Sequence, residues 1–570
     1  MGSQSPPKEN IELPYLYETG SDKGVATYAA EKMPRAQTSH KWDLNLQQEE
    51  LDAIDQVMST QDQEKAAEIK NSFSHDSQYD SVRAAVSNTD GGEVANTVRA
   101  WVLGMLFTTI GSGLNMFLSM RSPAISFPAL VIQLLVFPIG CLWAKTMPTR
   151  KFNTFGLQWT LNTGPFTIKE HAVITIMANV SIGYAYCTDA LLALKAKPLY
   201  DLDIGWGFQL LFALSSQVIG MSLAGIFRRF LVWPAAMIWP GQFANTSLFY
   251  ALHDWSTSDA SQTHGWKISR YRYFLYVTAG AFVWYWIPGV IWQGLSVFAF
   301  ITYPLLAPVH AILNTFIGLV VFVLITTIGI SYSGALYSAY LPINTSTTYD
   351  NTQQSYNVTR ILGPNFSFDE KAYKAYSPMF LAPTFALNYG LSFAALTAAI
   401  VHVILFHRKE LWHRFKASRE QEPDIHLTLM KRYNEAPDWW YAALFLFSVA
   451  LGLAGILAYD SQLPWWAFFV SIILAVVFIV PTCMILGVTN ITLCFMIPGK
   501  PIGVMVFKVF STITLGQAQV YCSDLKLAHY MKVPPRVTFM CQVVATIWAS
   551  IVQIAVMNWT LGNIEGVCTS

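Results

Sequence analysis

Between Asp460 and Lys500 the chain reads SQLPWWAFFVSIILAVVFIVPTCMILGVTNITLCFMIPG, residues 461–499, without one charged side chain. An α-helix rises about 1.5 Å per residue, so about 20 apolar residues cross the ~30 Å hydrocarbon layer of a bilayer. Inside that layer every backbone N–H and C=O must be paired within the segment, which a helix achieves and an open strand does not. The same signature repeats. Runs free of Asp, Glu, Lys and Arg occupy 100–120, 122–144, 204–227, 230–253, 375–407, 439–459 and 537–564. The longest, Tyr273 to Tyr349, has room for two or three crossings. Segment 171–194 adds another and holds a single acid, Asp189. The expected fold is an all-α polytopic membrane protein with about 11–13 transmembrane helices in this chain. Broken or re-entrant helices are expected at Pro234, Pro240, Pro304 and Pro308 and over Val488–Val509.

Composition agrees. Of 570 residues, 53% are hydrophobic and 12% charged, against roughly 25% charged in a soluble domain. Mean hydropathy is +0.37. The 36 basic residues balance 35 acidic ones, which excludes a nucleic-acid binder with its basic excess. None of the seven cysteines forms a CxxC pair, so they read as small buried hydrophobes rather than metal ligands or disulfides. There is no GxxxxGK[ST] loop, no HExxH, no GxSxG and no GxGxxG after a strand. An ATP-driven motor and a membrane enzyme therefore give way to an ion-gradient carrier, with no cofactor and no metal.

Residues 1–98 are polar, with no early apolar core that would mark a secretory signal. They are expected to form a disordered cytosolic tail with a short amphipathic helix around Gln48–Lys70. Residues 99–570 form the membrane domain. The loop at about 408–438 carries Arg408, Lys409, Arg414, Lys416, Arg419, Lys431 and Arg432 and is expected to be cytoplasmic. One span earlier, the loop at about 331–376 holds the sequons of Asn344, Asn357 and Asn365, as an external loop would. Counting crossings back places the N-terminus in the cytosol.

Four features carry candidate chemistry. In Asn162-Thr-Gly-Pro-Phe-Thr-Ile-Lys-Glu-His171, Gly164-Pro165 forces a turn, and Lys169, Glu170 and His171 follow at the mouth of an apolar span. Three adjacent ionisable groups there are either a proton-handling set or an interfacial anchor for the helix end. In Lys532-Val-Pro-Pro-Arg536, Pro534 and Pro535 stiffen a segment that presents two cations, as a positive anchor or a carboxylate contact. Lone polar groups within spans are Asp189, His310, His402, Lys508, Asp524, Lys526 and His529, with Asp189 first among them. Arg228-Arg229 through Pro240 reads as a broken helix or as an interfacial Arg/Trp belt.

These motifs resemble a known family. Asn162 to His171 is similar to the NPGPFNIKEH signature of the peptide-transporter branch of the oligopeptide transporter family, and Lys532 to Arg536 to its KIPPR signature. Asn162, Gly164, Pro165 and Phe166 match the first signature; Thr163 and Thr167 replace a proline and an asparagine. Asn115-Met-Phe-Leu-Ser-Met-Arg121 and the stretch from Gln217-Val-Ile-Gly220 through Met237-Ile-Trp-Pro240 to Leu252-His253 also look like it. The resemblance covers about residue 95 to the end. It implies a fungal-type, proton-coupled carrier of peptides of about three to five residues at the plasma membrane, with about sixteen spans. On that expectation this chain is a C-terminally shortened member.

Within that reading Glu170 and His171 handle the proton, Lys169 tunes them, and Asp189 is the second choice. Lys532 and Arg536 are structural or gating. The expected partners are short peptides, protons and the lipid bilayer. Alternatives are glutathione or a metal chelate as cargo, against which the intact Lys-Glu-His stands for the chelate, or a shortened, non-transporting membrane protein.

Overall fold

The computed structural model describes residues 77–564 except 78, 122–123, 155–156, 184, 186, 197–201, 254–267, 269, 288–308, 346, 364–367, 403–404, 407, 410–411, 414–415, 417–424, 460, 462 and 490–500. The helices are α1 (Asp80–Ala85), α2 (Val98–Ser119), α3 (Ala129–Thr146), α4 (Ile168–Ile182), α5 (Cys187–Lys195), α6 (Trp206–Leu231), α7 (Phe243–His253) and α8 (Arg270–Trp286). α9 (Val309–Val320) continues through a π-turn into α10 (Ile328–Ser333). Then come α11 (Glu370–Tyr376), α12 (Pro383–His402), α13 (Ile425–Met430), α14 (Asp438–Ala458), α15 (Trp465–Thr489), α16 (Pro501–Lys508), α17 (Thr514–Tyr530) and α18 (Pro535–Asn563). The described residues also hold two short antiparallel pairs, β1 (Lys151–Thr154) with β2 (Leu157–Thr160) and β3 (Thr348–Tyr349) with β4 (Phe380–Leu381).

Among the described residues seven helical runs are long and apolar enough to cross a bilayer: α2, α3, α6, Phe316–Ser333, α14, Trp465–Leu486 of α15, and α18. The expected breaks at Pro304 and Pro308, part of Val488–Val509, and the helix around Gln48–Lys70 lie outside the described residues. The large apolar side chains of α14 and α15 that face outward, such as Leu446, Phe447, Leu457, Ile473 and Val477, are exposed. In water such a surface is costly; against lipid it is the expected outer face.

α4 sits at the centre. It packs on α2, α3, α7, α17 and α18, and 13 of its residues, from Lys169 to Ile182, are buried. Its sequence IKEHAVITIMANVSI has no single apolar stripe, as suits a helix surrounded by others. Segment 171–194 was expected as one span. It is instead two short helices, α4 and α5, interrupted after Ile182. Gly183 supports the helix weakly, and Gln553 of α18 takes over the freed backbone. Its Oε1 accepts from Ala185 N at 2.9 Å, and its Nε2 donates to Ser181 O at 3.1 Å and Gly183 O at 3.2 Å.

The second expected break, at Pro234 and Pro240, falls between α6 and α7. α17 supplies the missing donors there. Lys526 Nζ donates to Val232 O at 2.7 Å and Pro234 O at 3.2 Å, and Tyr530 Oη to Ile238 O at 2.7 Å. A break inside a membrane body survives only with such partners.

Residues before 98 also pack on the helical body. Val82, Ala85 and Val86, on and just after α1, bury against Ile238 and Tyr530, and Thr97 caps α2. The apolar residues that dock this stretch are too few to register as a pattern in sequence.

α6 approaches α14 closely at Gly225, where an added Cβ would lie 1.8 Å from the Tyr441 ring. The same ring stacks under Arg228 at 4.8 Å. Gly225→Ala is expected to destabilise by about 1–3 kcal/mol through overpacking, and Gly225→Ala with Tyr441→Leu by less. Heat-challenge size-exclusion of both variants in detergent checks this.

Candidate functional site

The Asn162–His171 stretch builds the start of α4. Asn162 Nδ2 donates to Ala144 O and Met147 O, both at 2.8 Å, tying off the last carbonyls of α3. Its Oδ1 accepts from Gly164 N at 3.0 Å. Gly164 has φ +117, a conformation that suits glycine alone. Phe166 packs its ring on Gly140 of α3, where a Cβ would sit 2.8 Å away. Thr167 is the N-cap, and with Glu170 it forms a reciprocal capping box. The threonine that departs from the family signature therefore does the capping.

Glu170 is fully buried and ion-paired with Arg99, itself 1% exposed. Arg99 Nε reaches Glu170 Oε1 at 3.2 Å, and Arg99 also donates to Gly164 O at 3.1 Å and Pro165 O at 3.0 Å. Glu170 further accepts from Thr97 Oγ1 at 2.5 Å, Thr163 Oγ1 at 3.3 Å and Thr167 N at 3.1 Å. Both carboxylate oxygens are saturated with donors.

Lys169 faces another way. Its Nζ donates to Asp90 Oδ1 at 2.5 Å and Tyr433 Oη at 2.7 Å, and Tyr433 Oη donates to Asp90 Oδ2 at 2.7 Å. This closed triangle joins the segment before α2, the start of α4 and the loop after α13. Burial pushes the Asp90 carboxyl up, but hydrogen bonds from Lys169, Tyr433 and the Gly92 N–H outweigh it and hold it below its ordinary 3.8.

His171 is enclosed by rings: Phe249 at 4.9 Å, Phe166 at 5.4 Å and Phe137 at 6.1 Å. Its Nε2 lies 2.7 Å from Gln133 O and its Nδ1 2.9 Å from His253 Nε2. A carbonyl only accepts, so His171 Nε2 carries hydrogen. When the pair is neutral, His171 Nδ1 then accepts from the Nε2–H of His253. His253 is half-buried at the end of α7.

The other sequence candidates lie apart. Asp189 is half-buried on α5. Asp524 of α17 is 1% exposed; Asn179 of α4 donates to its Oδ1 at 2.8 Å, and its Oδ2 has no hydrogen-bond partner. Lys532 is buried in a left-handed turn (φ 54) and donates to Ser87 O. Pro534 and Pro535 start α18, as proline suits a first helical turn. Arg536 donates to Glu435 O at 3.1 Å. Asn344 and Asn357 are exposed, whereas Asn365 and the side chain of His310 lie outside the described residues. Arg99, Asp90, Tyr433 and His253 were not read as site residues. Arg99 had marked only the edge of an apolar run, and Asp90 and Tyr433 sat in stretches read as tail and loop.

The native Asp90 carboxyl releases its proton more readily than the unfolded chain does. The triangle's stabilisation is thus complete above the ordinary value and is lost as pH falls below about 4. Unfolding temperature against pH is expected to drop more steeply there for the unaltered chain than for Asp90→Asn.

Comparison with known proteins adds the following. The family described as "OPT oligopeptide transporter protein" matches residues 95–303 and 299–570. "Sexual differentiation process protein isp4" of Schizosaccharomyces pombe is 38% identical over 543 residues, covering 87% of this chain and 68% of that protein. "Glutathione transporter 1" of the same yeast is 36% identical, covering 87% and 64%. "Oligopeptide transporter 1" of Saccharomyces cerevisiae is 35% identical, covering 87% and 68%. The chain thus spans about two thirds of the length of these relatives.

Proposed function

The chain belongs to the oligopeptide transporter family, and from that premise we propose that it carries short peptides across the plasma membrane, driven by protons. The N-terminus lies in the cytosol, the 331–376 loop outside with Asn344, Asn357 and Asn365 as acceptors of glycans, and the 408–438 loop inside.

One observation carries the proton reading. Of the three adjacent ionisable groups, Lys169 and Glu170 are committed to ion pairs, and His171 is the one that faces another imidazole. Glu170 is accordingly a lock rather than a proton carrier: protonating it would strand Arg99 in the interior. Lys169 is the bolt of the triangle with Asp90 and Tyr433. The proton enters at His253, the less buried of the two rings, and is relayed to His171 Nδ1. Phe137, Phe166 and Phe249 surround the resulting imidazolium.

The cargo is zwitterionic, so its amine needs an acceptor. Asp524, with Oδ2 unpartnered, fills that role in this reading. It pairs with α4 on the same helix that is broken before α5, and broken helices are where carriers place substrate. For proton handling Asp189 remains the second choice. Glutathione, the cargo in the name of one relative, is a small peptide and falls within the same class.

The test is uptake of a labelled tetrapeptide at acid and neutral external pH, with and without a protonophore. The unaltered chain is expected to show acid-stimulated uptake that the protonophore collapses. His253→Gln keeps an N–H for His171 but cannot titrate. It is expected to lose the acid stimulation at normal surface expression. Acid stimulation that persists in His253→Gln contradicts the relay, and the absence of peptide uptake in the unaltered chain contradicts the transport reading.

A further inference from the structure

A second concentration of charge lies away from the Lys-Glu-His set. An open cavity is bounded by the end of α6, α13 and the loop after it, the second half of α17 and the start of α18. Arg228, Lys431, Glu435 and His529 line it, with apolar and aromatic walls that include Trp233 and Tyr441. His529 is 3% exposed, and its Nε2 has no hydrogen-bond partner. Behind it His426 of α13 is 1% exposed with its Nδ1 likewise unpartnered. Lys526, His426 and Lys532 all stand close enough to His529 to act on its charge.

The charges do not balance. Arg228 and Arg229 share one carboxylate, Asp438. Among the described lining residues Arg228 and Lys431 face a single carboxylate, Glu435, and Lys526 and Lys532, which donate to backbone carbonyls, stand near His529 outside the lining. Arg228 is held by Gly225 O and Ala436 O, each at 2.9 Å, so it contributes field rather than a free fork. Pro535 and Thr538, in the first turn of α18, line the same cavity and bring the positive end of a 29-residue helix to it. Leaving a buried imidazole nitrogen without a partner is unfavourable. Among so many cations the group that relieves both the orphan and the charge is an oxyanion.

We propose that this cavity binds a phosphate group, with His529 Nε2 as its innermost donor and Lys431 at its mouth. This goes beyond the transport reading and does not rest on it: the site shares no residue with the histidine relay or with Asp524. The apolar walls admit a phospholipid headgroup, and the open mouth admits a free phosphate. The chemistry is the same for both.

The experiment measures thermal unfolding of the full chain. One arm adds inorganic phosphate in detergent against chloride at equal ionic strength. The other compares nanodiscs of phosphatidylcholine with nanodiscs containing phosphatidic acid. Each arm is repeated with His529→Phe and with Lys431→Glu, an exposed residue whose change leaves the core intact; Lys371→Glu on α11 serves as control. The expected result is stabilisation by phosphate, by phosphatidic acid or by both, with the midpoint moved about tenfold higher in Lys431→Glu and unmoved in Lys371→Glu. A response to phosphate in detergent assigns a soluble ligand, and a response to phosphatidic acid alone assigns a lipid headgroup. No stabilisation in either arm, or stabilisation equal in Lys431→Glu and the unaltered chain, overturns the proposal, even if His529→Phe fails to fold.

Discussion

A carboxylate and a guanidinium taken out of water must find each other. Each alone costs several kcal/mol in a low-dielectric interior, and removing one partner of a buried pair typically costs about 3–5 kcal/mol. The pair of Arg99 and Glu170 is the point on which the rest of this structure turns. Arg99 begins α2, Glu170 begins α4, and the loop carbonyls between Gly164 and Phe166 close the remaining donor sites. Thr97 and Thr167, the caps of the two helices, both bond the same carboxylate. One ion pair thus sets where two helices start and how the turn before α4 runs.

The consequences extend outward. With Glu170 held, the preceding Lys169 points to the triangle with Asp90 and Tyr433, and the following His171 to the ring-lined pocket with His253. Consecutive residues at a helix start point in different directions, about 100° apart. Three adjacent ionisable groups therefore serve three separate environments. α4 is short because its far end is handed to Gln553, which lets a buried helix stop within the body without orphaned backbone.

Much of this was legible in the sequence. The charge-free runs announced an all-helical membrane body. The turn at Gly164 and the helix start that carries Lys169, Glu170 and His171 followed from residue chemistry and the family signature. Less was legible about partners. Arg99 looked like an edge marker because sequence spacing does not show that residues 71 positions apart meet. The docking of α1 rests on a handful of apolar contacts, too few to give a periodic signal. The break after Ile182 was hidden because Gln553, which stabilises it, lies on the last helix. Likewise the four basic groups around His529 are spread between positions 426 and 532 and gather only once α13 packs on α17.

The central claim is that Arg99 and Glu170 act as one unit. A double-mutant cycle on thermal stability tests it most directly, with Arg99→Met, Glu170→Gln and the two together in the full chain. The account predicts strong coupling, with the double variant more stable than the sum of the single losses by about 2 kcal/mol or more. Losses that add to within about 0.5 kcal/mol would contradict it.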